Sequence, residues 1–199
     1  MRPAEVFLAS RSPRRQELLT QVGIRFELLD FEIDETPHVN EQPERYVERM
    51  AIEKARAGVV LRRSDAGMPV VAADTAVVVD GQILGKPRDV GEALAHLRAL
   101  SGRSHLVLSA VAVASPEPVV AVVPSCVTFR ALSDAECRAY CATGEPMDKA
   151  GSYGIQGRGA MFIRHLEGSY SAVMGLPLFE TCQLLSACGV APGPTDRSD

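Results

Sequence analysis

The run Val70–Val79 constrains the fold of this chain more than any other segment. Its ten residues, VVAADTAVVV, are small or β-branched except for the acidic Asp74. Such a run is typical of a strand that is buried in a sheet with helices on its faces. Strand and helix signals alternate along most of the chain. The sequence therefore predicts an α/β protein with a mixed, twisted sheet and flanking helices.

Hydrophobic periodicity, capping residues and turn residues predict the individual elements. The predicted strands cover 6–9, 26–31, 70–79, 82–84, 104–114, 119–130 and 161–166. The predicted helices cover 13–22, 43–58, 89–100, 133–141 and 177–189. A length of 199 residues allows one domain with a large core, or two lobes around a cleft. We expect one domain over 1–190 and a disordered tail over 191–199.

Charge and composition exclude several classes of partner. The net charge is −4 and the isoelectric point about 5.6, which argues against a long nucleic-acid footprint but allows a small anion bound by clustered arginines. No apolar run has the length of a membrane span, and the first residues lack the apolar region of a signal peptide. The five cysteines form no CxxC pair and indicate free thiols in the cytoplasm.

The segment that follows the first predicted strand has features of an anion site. Ser12 is a good helix N-cap and Pro13 suits the first helical position. Unpaired N–H groups at a helix start attract anions, and Arg14 and Arg15 add positive charge there. A capped surface helix with a solvated basic turn explains the same residues.

Asp74 is an anomaly, because a buried charge requires a cation, a metal or water. It is either a general base or metal ligand at the mouth of a cleft, or a strand-end residue that binds a turn. Lys86, in the string LGKPRD, is a candidate of lower specificity, since most loop lysines are solvated. Residues 145–157 include glycines at 151, 154 and 157 around Gln156, which indicates either a close approach to a ligand or a complicated loop.

In combination and order, these segments resemble the Maf family of nucleoside triphosphate pyrophosphatases. The strings that carry the resemblance are SRSPRRQELL, ADTAVVVDGQILGKPRD, LSGRSHLVLSAVAV, EPMDKAGSYGIQG and GSYSAVMGLPLFET, between about residues 6 and 186. The resemblance implies hydrolysis between the α and β phosphates, a divalent cation (Mg²⁺ or Mn²⁺), and a fold related to the inosine triphosphatases with the site between two lobes. The string DKAGSYGIQG is similar to the branch that hydrolyses dTTP and UTP.

The resemblance also implies roles for individual residues in catalysis. Asp74 matches the catalytic base, and Lys54 and Lys86 match lysines of the same cleft. Glu35 matches an acidic position that helps to hold the metal, together with Asp74. One or two carboxylates and the substrate oxygens are sufficient ligands for Mg²⁺.

Further matches concern the substrate. Ser10, Arg14 and Arg15 match the phosphate-binding motif, and Arg14, Thr75 and Gln156 match positions tied to the choice of base. Thymine and uracil present an N3–H donor beside the O4 acceptor, and a glutamine amide satisfies both. Because a flipped amide would also accept cytosine, we expect the glycine-rich backbone to fix the orientation of Gln156. Arg11 departs from the glycine that is common in the family string.

Two other functions fit the same sequence. One is a nucleotide-binding regulator of septum formation with little turnover, although the presence of Asp74, Lys86 and Glu35 favours an enzyme. The other is a pyrophosphatase for purine or methylated triphosphates, against which Gln156 argues. The resemblance further implies a homodimer, acting on nucleoside triphosphates or modified pyrimidine triphosphates and not on nucleic-acid polymers or membranes.

Overall fold

Strands and helices alternate along the computed structural model, which describes residues 3–62 and 67–193. The strands in these ranges are β1 (Val6–Leu8), β2 (Phe26–Leu28), β3 (Val70–Val79), β4 (Gln82–Leu84), β5 (Ser104–Ala114), β6 (Pro118–Phe129) and β7 (Ile163–Glu167). The α-helices are α1 (Pro13–Gln21), α2 (Pro43–Leu61), α3 (Val90–Leu100), α4 (Asp134–Cys141), α5 (Tyr170–Met174) and α6 (Leu178–Ala187). Three short 3₁₀ helices lie at Glu145–Asp148, Ala150–Ser152 and Arg158–Phe162.

The strands form a mixed sheet with the order β2-β1-β3-β5-β6-β7, and β4 pairs with β3. Strand β1 runs parallel to β2 and β3, and Leu8 is in register with Leu28 and Val71. Strand β4 is antiparallel to β3 across the Asp80-Gly81 turn, and β7 is antiparallel to β6. The connection between β5 and β6 is too short for a parallel crossover, which makes this pair a hairpin. The predicted mixed α/β architecture is confirmed.

The described chain divides into two compact units. The first contains residues 3–62, 67–74, 109–122 and 175–193. Its helix α2 lies close to the start of β3, since a Cβ on Gly58 would come 2.6 Å from Cγ1 of Val70. Gly58 therefore permits a close approach of α2 to β3 that a larger residue would prevent. This approach helps to set the position of Lys54, one helical turn earlier, relative to β3.

The second unit contains residues 75–108 and 123–174. Its core combines aliphatic side chains of α3 and β3 with a group of aromatic rings. The rings of Phe129 and Tyr153 meet edge to face with centroids 4.8 Å apart, and Tyr140 meets Phe162 in the same way at 5.0 Å. Edge-to-face contacts favour one ring arrangement, so this core holds the irregular segment around Tyr153 in a defined position.

Some element boundaries differ from the prediction. Strand β2 ends at Leu28 and not at residue 31, and Asp30 and Glu32 beyond it form exposed ion pairs with Arg11. Strand β7 begins at Ile163, since residues 161–162 complete a 3₁₀ helix. Helix α5 was not predicted. The predicted tail lies outside the described residues from 194 onwards, and no described helix has the length and apolarity to cross a membrane.

Candidate active site

Two carboxylates of the first unit converge on one ammonium group. Nζ of Lys54 lies 2.6 Å from Oε1 of Glu35 and 2.7 Å from Oδ1 of Asp74. The side chains of Lys54 and Asp74 are only 13% and 10% exposed, whereas that of Glu35 is 48% exposed. Asp74 occupies the middle of β3 and not its end, so the alternative of a strand-end aspartate that binds a turn is wrong. Lys54 supplies the cation that the charge of Asp74 requires.

Helix α2 also binds the backbone of Glu35 and of the residue that follows it. The hydroxyl of Tyr46, two turns before Lys54, donates to the carbonyl oxygen of Glu35 at 3.0 Å. Arg49 donates to the carbonyl oxygen of Thr36 at 3.2 Å. Burial, and then the charges of Asp74 and Glu35, raise the pKa of Tyr46, which keeps its hydroxyl a donor. Hydrophobic periodicity gives no indication of this role for Tyr46.

Ser10 and Arg15 form a second group in the same unit. Oγ of Ser10 accepts hydrogen bonds from the backbone N–H of Ser12 at 3.2 Å and from Nη1 of Arg15 at 3.1 Å. Nε of Arg15 donates to the carbonyl oxygen of Gly175 at 2.8 Å. The guanidinium is therefore held from two sides. Ser12 is the N-cap residue of α1, as predicted, but its hydroxyl makes no capping bond.

Electrostatics connect this group to the carboxylates. The pKa of Arg15 lies below its ordinary value, mainly because the group is buried. The charge of Asp74 acts to raise this pKa, that of Arg14 to lower it and that of Glu35 to raise it. An arginine stays protonated in proteins. The structure thus brings Ser10, Arg14, Arg15, Glu35, Lys54 and Asp74 into one cluster, which we call the charge cluster.

Arg11 lies at the edge of this unit and contacts the segment after β2. Its Nη2 is 2.7 Å from Oε1 of Glu32, and its Nε is 3.4 Å from Oδ1 of Asp30. All three side chains are largely exposed, so these ion pairs add little to stability. The bulk of Arg11 is directed to the surface segment that precedes Glu35.

The other three predicted residues belong to the second unit. Thr75 follows Asp74 along β3 and is half-buried. Lys86 is exposed in the loop after β4, and Gln156 is exposed in a turn that a bond from the N–H of Gly157 to the carbonyl oxygen of Gly154 closes at 3.3 Å. The N–H of Gly151 donates to the carbonyl oxygen of Gly85 at 3.1 Å, which attaches the Lys86 loop to the glycine-rich segment.

Two buried histidines bind the side chains of Ser152 and Tyr153, next to Gly151. Gly151 has a φ of +66°, and a Cβ there would come 2.7 Å from Cγ1 of Val77. Ser152 has a φ of +60°, rare for a residue with a side chain, and its hydroxyl lies 2.8 Å from Nδ1 of His96. The hydroxyl of Tyr153 lies 2.8 Å from Nε2 of His105. Both histidines are therefore buried residues of the core.

Comparisons with known proteins agree on one family. The sequence profile of the Maf family, described as Maf-like protein, matches residues 5–188. The dTTP/UTP pyrophosphatase of Aromatoleum aromaticum is 53% identical over 198 residues, covering 94% of this chain and 96% of that protein. The dTTP/UTP pyrophosphatase of Salmonella typhimurium is 50% identical over 195 residues, covering 98% of both chains.

Solved structures give a partial likeness. One is a nucleoside-triphosphatase, or dITP/XTP pyrophosphatase, from Mycobacterium abscessus, with 25% identity and a TM-score of 0.44 over 62% of this chain and 73% of that chain. The family assignment depends on the profile and the sequence relatives, which extend over nearly the whole sequence. On those grounds, the chain belongs to the Maf family.

Proposed function

We propose that this protein is a nucleoside triphosphate pyrophosphatase that hydrolyses dTTP and UTP to the monophosphate and pyrophosphate. The charge cluster is the observation that carries the proposal, because it combines a buried carboxylate with a buried arginine that feels its charge and that suits phosphate. Relatives with 50–53% identity that are named dTTP/UTP pyrophosphatases support the choice of substrate.

The charge cluster fits a divalent cation. Glu35 and Asp74 already point one oxygen each at the same cation, the ammonium of Lys54. No group of three or more His, Cys, Asp or Glu residues that could hold a metal occurs in the described parts of the chain. Two carboxylates suit Mg²⁺ or Mn²⁺, which use phosphate oxygens and water as their other ligands. We assign both carboxylates to this cation, which would polarise the phosphate oxygens when bound.

Asp74 is the residue that we assign to proton transfer. Water attacks the α-phosphorus, a new P–O bond forms, and the bond from this phosphorus to the bridging oxygen breaks. The proton of the water passes to Asp74 and the electron pair leaves with pyrophosphate. Arg15, held by Ser10 and Gly175, and Arg14 offset the negative charge that grows on the leaving group. Lys54 keeps the carboxylate of Asp74 in place.

Residues of the second unit complete the assignment. We assign phosphate binding to Lys86 and base recognition to Gln156, with Thr75 and Arg14 contributing to the choice of base. The amide of Gln156 donates to O4 and accepts from N3–H of thymine or uracil. A glutamine in a turn built on glycines has a backbone that can approach a ligand closely.

Three further statements belong to this proposal. The family profile extends over both units, which supports a single functional domain over 1–190. Free thiols at all five cysteines support a cytoplasmic location. A homodimer, which the family resemblance implies, stays a prediction that sedimentation velocity tests.

Release of pyrophosphate by the purified protein tests the proposal. We expect turnover of dTTP and UTP with Mg²⁺ or Mn²⁺, little turnover of CTP, dATP and GTP, and pyrophosphate in place of orthophosphate as the product. Binding of dTTP with no turnover of any nucleotide would favour a regulator. Turnover of purines alone would refute the role of Gln156.

A further inference from the structure

The carboxylate of Glu145 lies beneath the turn that carries Gln156. Its Oε2 accepts a hydrogen bond from the backbone N–H of Arg158 at 2.9 Å. Its Oε1 accepts from the N–H of Gly159 at 3.2 Å and from the hydroxyl of Tyr140 at 2.8 Å. One side chain thus binds two consecutive backbone groups at the start of the 3₁₀ helix Arg158–Phe162, where N–H groups otherwise lack partners.

The other end of the turn is bound through Tyr140. The hydroxyl of Tyr140, while it donates to Glu145, accepts from the N–H of Gly154 at 3.2 Å. A Cβ on Gly157 would overlap the carboxylate of Glu145, so the backbone rests directly on this group. Both ends of the four-residue turn are therefore fixed from below by one phenol and one carboxylate.

The surroundings of Glu145 commit its carboxylate to hydrogen bonds within the second unit. Its oxygens already face a hydroxyl and two N–H groups, all of them donors. Burial acts to raise the pKa of Glu145, but these hydrogen bonds and the charge of Lys149 outweigh burial and lower it. The carboxylate of Glu145 is therefore favoured in its charged form and is bound to Tyr140 and to the backbone of Arg158 and Gly159.

We propose that Glu145 is a positioning residue for pyrimidine recognition, which holds the turn 154–157 so that Gln156 meets the base from a fixed backbone. This inference rests on the proposed function, because it assigns base recognition to Gln156. A fixed backbone restricts the positions from which the Gln156 amide reaches the base, which favours one arrangement of its donor and acceptor over the other.

Glu145→Gln tests this inference, with Glu136→Gln as the matched control. Glu136 is also a hydrogen-bonded carboxylate of the second unit, but it binds Ser133 at the start of α4 and Arg130, and it has no described bond to residues 151–159. In Glu145→Gln, the NH₂ group of the new amide replaces one carboxylate oxygen. It faces a hydrogen-bond donor there, so a bond of this carboxylate is lost. We expect the ratio of kcat/KM for dTTP to that for CTP to fall about tenfold, mainly through KM for dTTP.

The control separates positioning from stability. We expect Glu136→Gln to lower the melting temperature and leave the dTTP/CTP ratio unchanged. An unchanged dTTP/CTP ratio in Glu145→Gln, with or without equal losses for both nucleotides, would overturn the inference. Turnover of dTTP by the wild type would uphold the proposed function in that case. No wild-type turnover would refute the proposed function itself.

Hydrogen exchange measures the same geometry without catalysis. In the nucleotide-free protein, we expect the amides of Arg158 and Gly159 to exchange faster in Glu145→Gln than in Glu136→Gln. Tyr140→Phe provides a second variant if Glu145→Gln fails to fold, since it removes the bond to the N–H of Gly154 and the bond to the Glu145 carboxylate. It should change the dTTP/CTP ratio in the same direction, and an unchanged ratio would again overturn the inference.

Discussion

The charge cluster and the glycine-rich segment 145–159 are built in opposite ways. Asp74 and Lys54 project from a strand and a helix, whose regular backbones fix the position of each charge. Gln156 lies in a turn without regular structure, held by Glu145, and the segment before it is held by His96 and His105. Charges that act on phosphate need fixed positions, whereas close contact with a base needs unusual backbone angles. Substitutions should therefore affect turnover in the first region and stability or selectivity in the second.

Asp74→Asn should have the largest effect. The amide keeps the shape of the side chain but cannot accept the proton of the attacking water. We expect kcat for dTTP to fall about 10²- to 10⁴-fold, with a melting temperature close to that of the wild type. Steady-state kinetics and thermal unfolding measure the two quantities. A large loss of stability with little loss of kcat would contradict the division between the two regions.

Gly151→Ala should be the most destabilising of the changes in the second region. The new Cβ adds strain at a φ of +66° and overlaps Val77. We expect a loss of about 3 kcal/mol in the free energy of unfolding, from conformational strain and overpacking together. Gly81→Ala is the matched control, because Gly81 has a φ of +76° but no described atom within 4 Å of the added Cβ. It should cost about 1 kcal/mol, and equal costs in urea unfolding would refute the packing argument.

Acid should weaken the second unit through His105. Burial lowers the pKa of His105 to about 4 from an ordinary value of 6.5. Between these values the unfolded chain binds the proton and the folded chain does not, so stability falls as the pH falls through this window. At pH 5 the expected loss is about 2 kcal/mol. Urea unfolding at pH 7.5 and pH 5 should show a smaller loss in His105→Phe, and the same loss in both proteins would contradict the assignment.

Gln156→Glu should have the smallest effect on the fold and a selective effect on the substrate. A carboxylate cannot donate to O4 of thymine, so kcat/KM for dTTP should fall about tenfold. Inhibition by pyrophosphate should be unchanged, because it measures phosphate binding alone. Gln82→Glu, an exposed glutamine on β4, controls for the added charge. Parallel losses of dTTP turnover and pyrophosphate inhibition would count against base recognition.

The sequence revealed Asp74 because a charge in an apolar run is visible without coordinates. Lys54 is twenty positions away in the chain, and its contact with Asp74 depends on the close approach that Gly58 permits. Only the family resemblance connected the two residues in advance. The regular elements were predicted because burial imposes a period on the sequence.

The role of Glu145 was missed for a related reason. Tyr140 lies 5 positions earlier in the chain, and Arg158 and Gly159 lie 13 and 14 positions later. These separations match no helical or strand spacing. The left-handed conformation of Ser152 was equally hidden, because the bond to His96 that accompanies it is tertiary. Periodicity predicts regular elements, but it gives no information on a backbone that distant side chains hold.

Hydrolysis of dTTP in water enriched in ¹⁸O tests the central claim most directly, which is that the charge cluster directs water to the α-phosphorus. The account predicts one ¹⁸O atom in each thymidine monophosphate and none in the pyrophosphate. Label in the pyrophosphate, or in orthophosphate released from the γ position, would show attack at another phosphorus and contradict the claim.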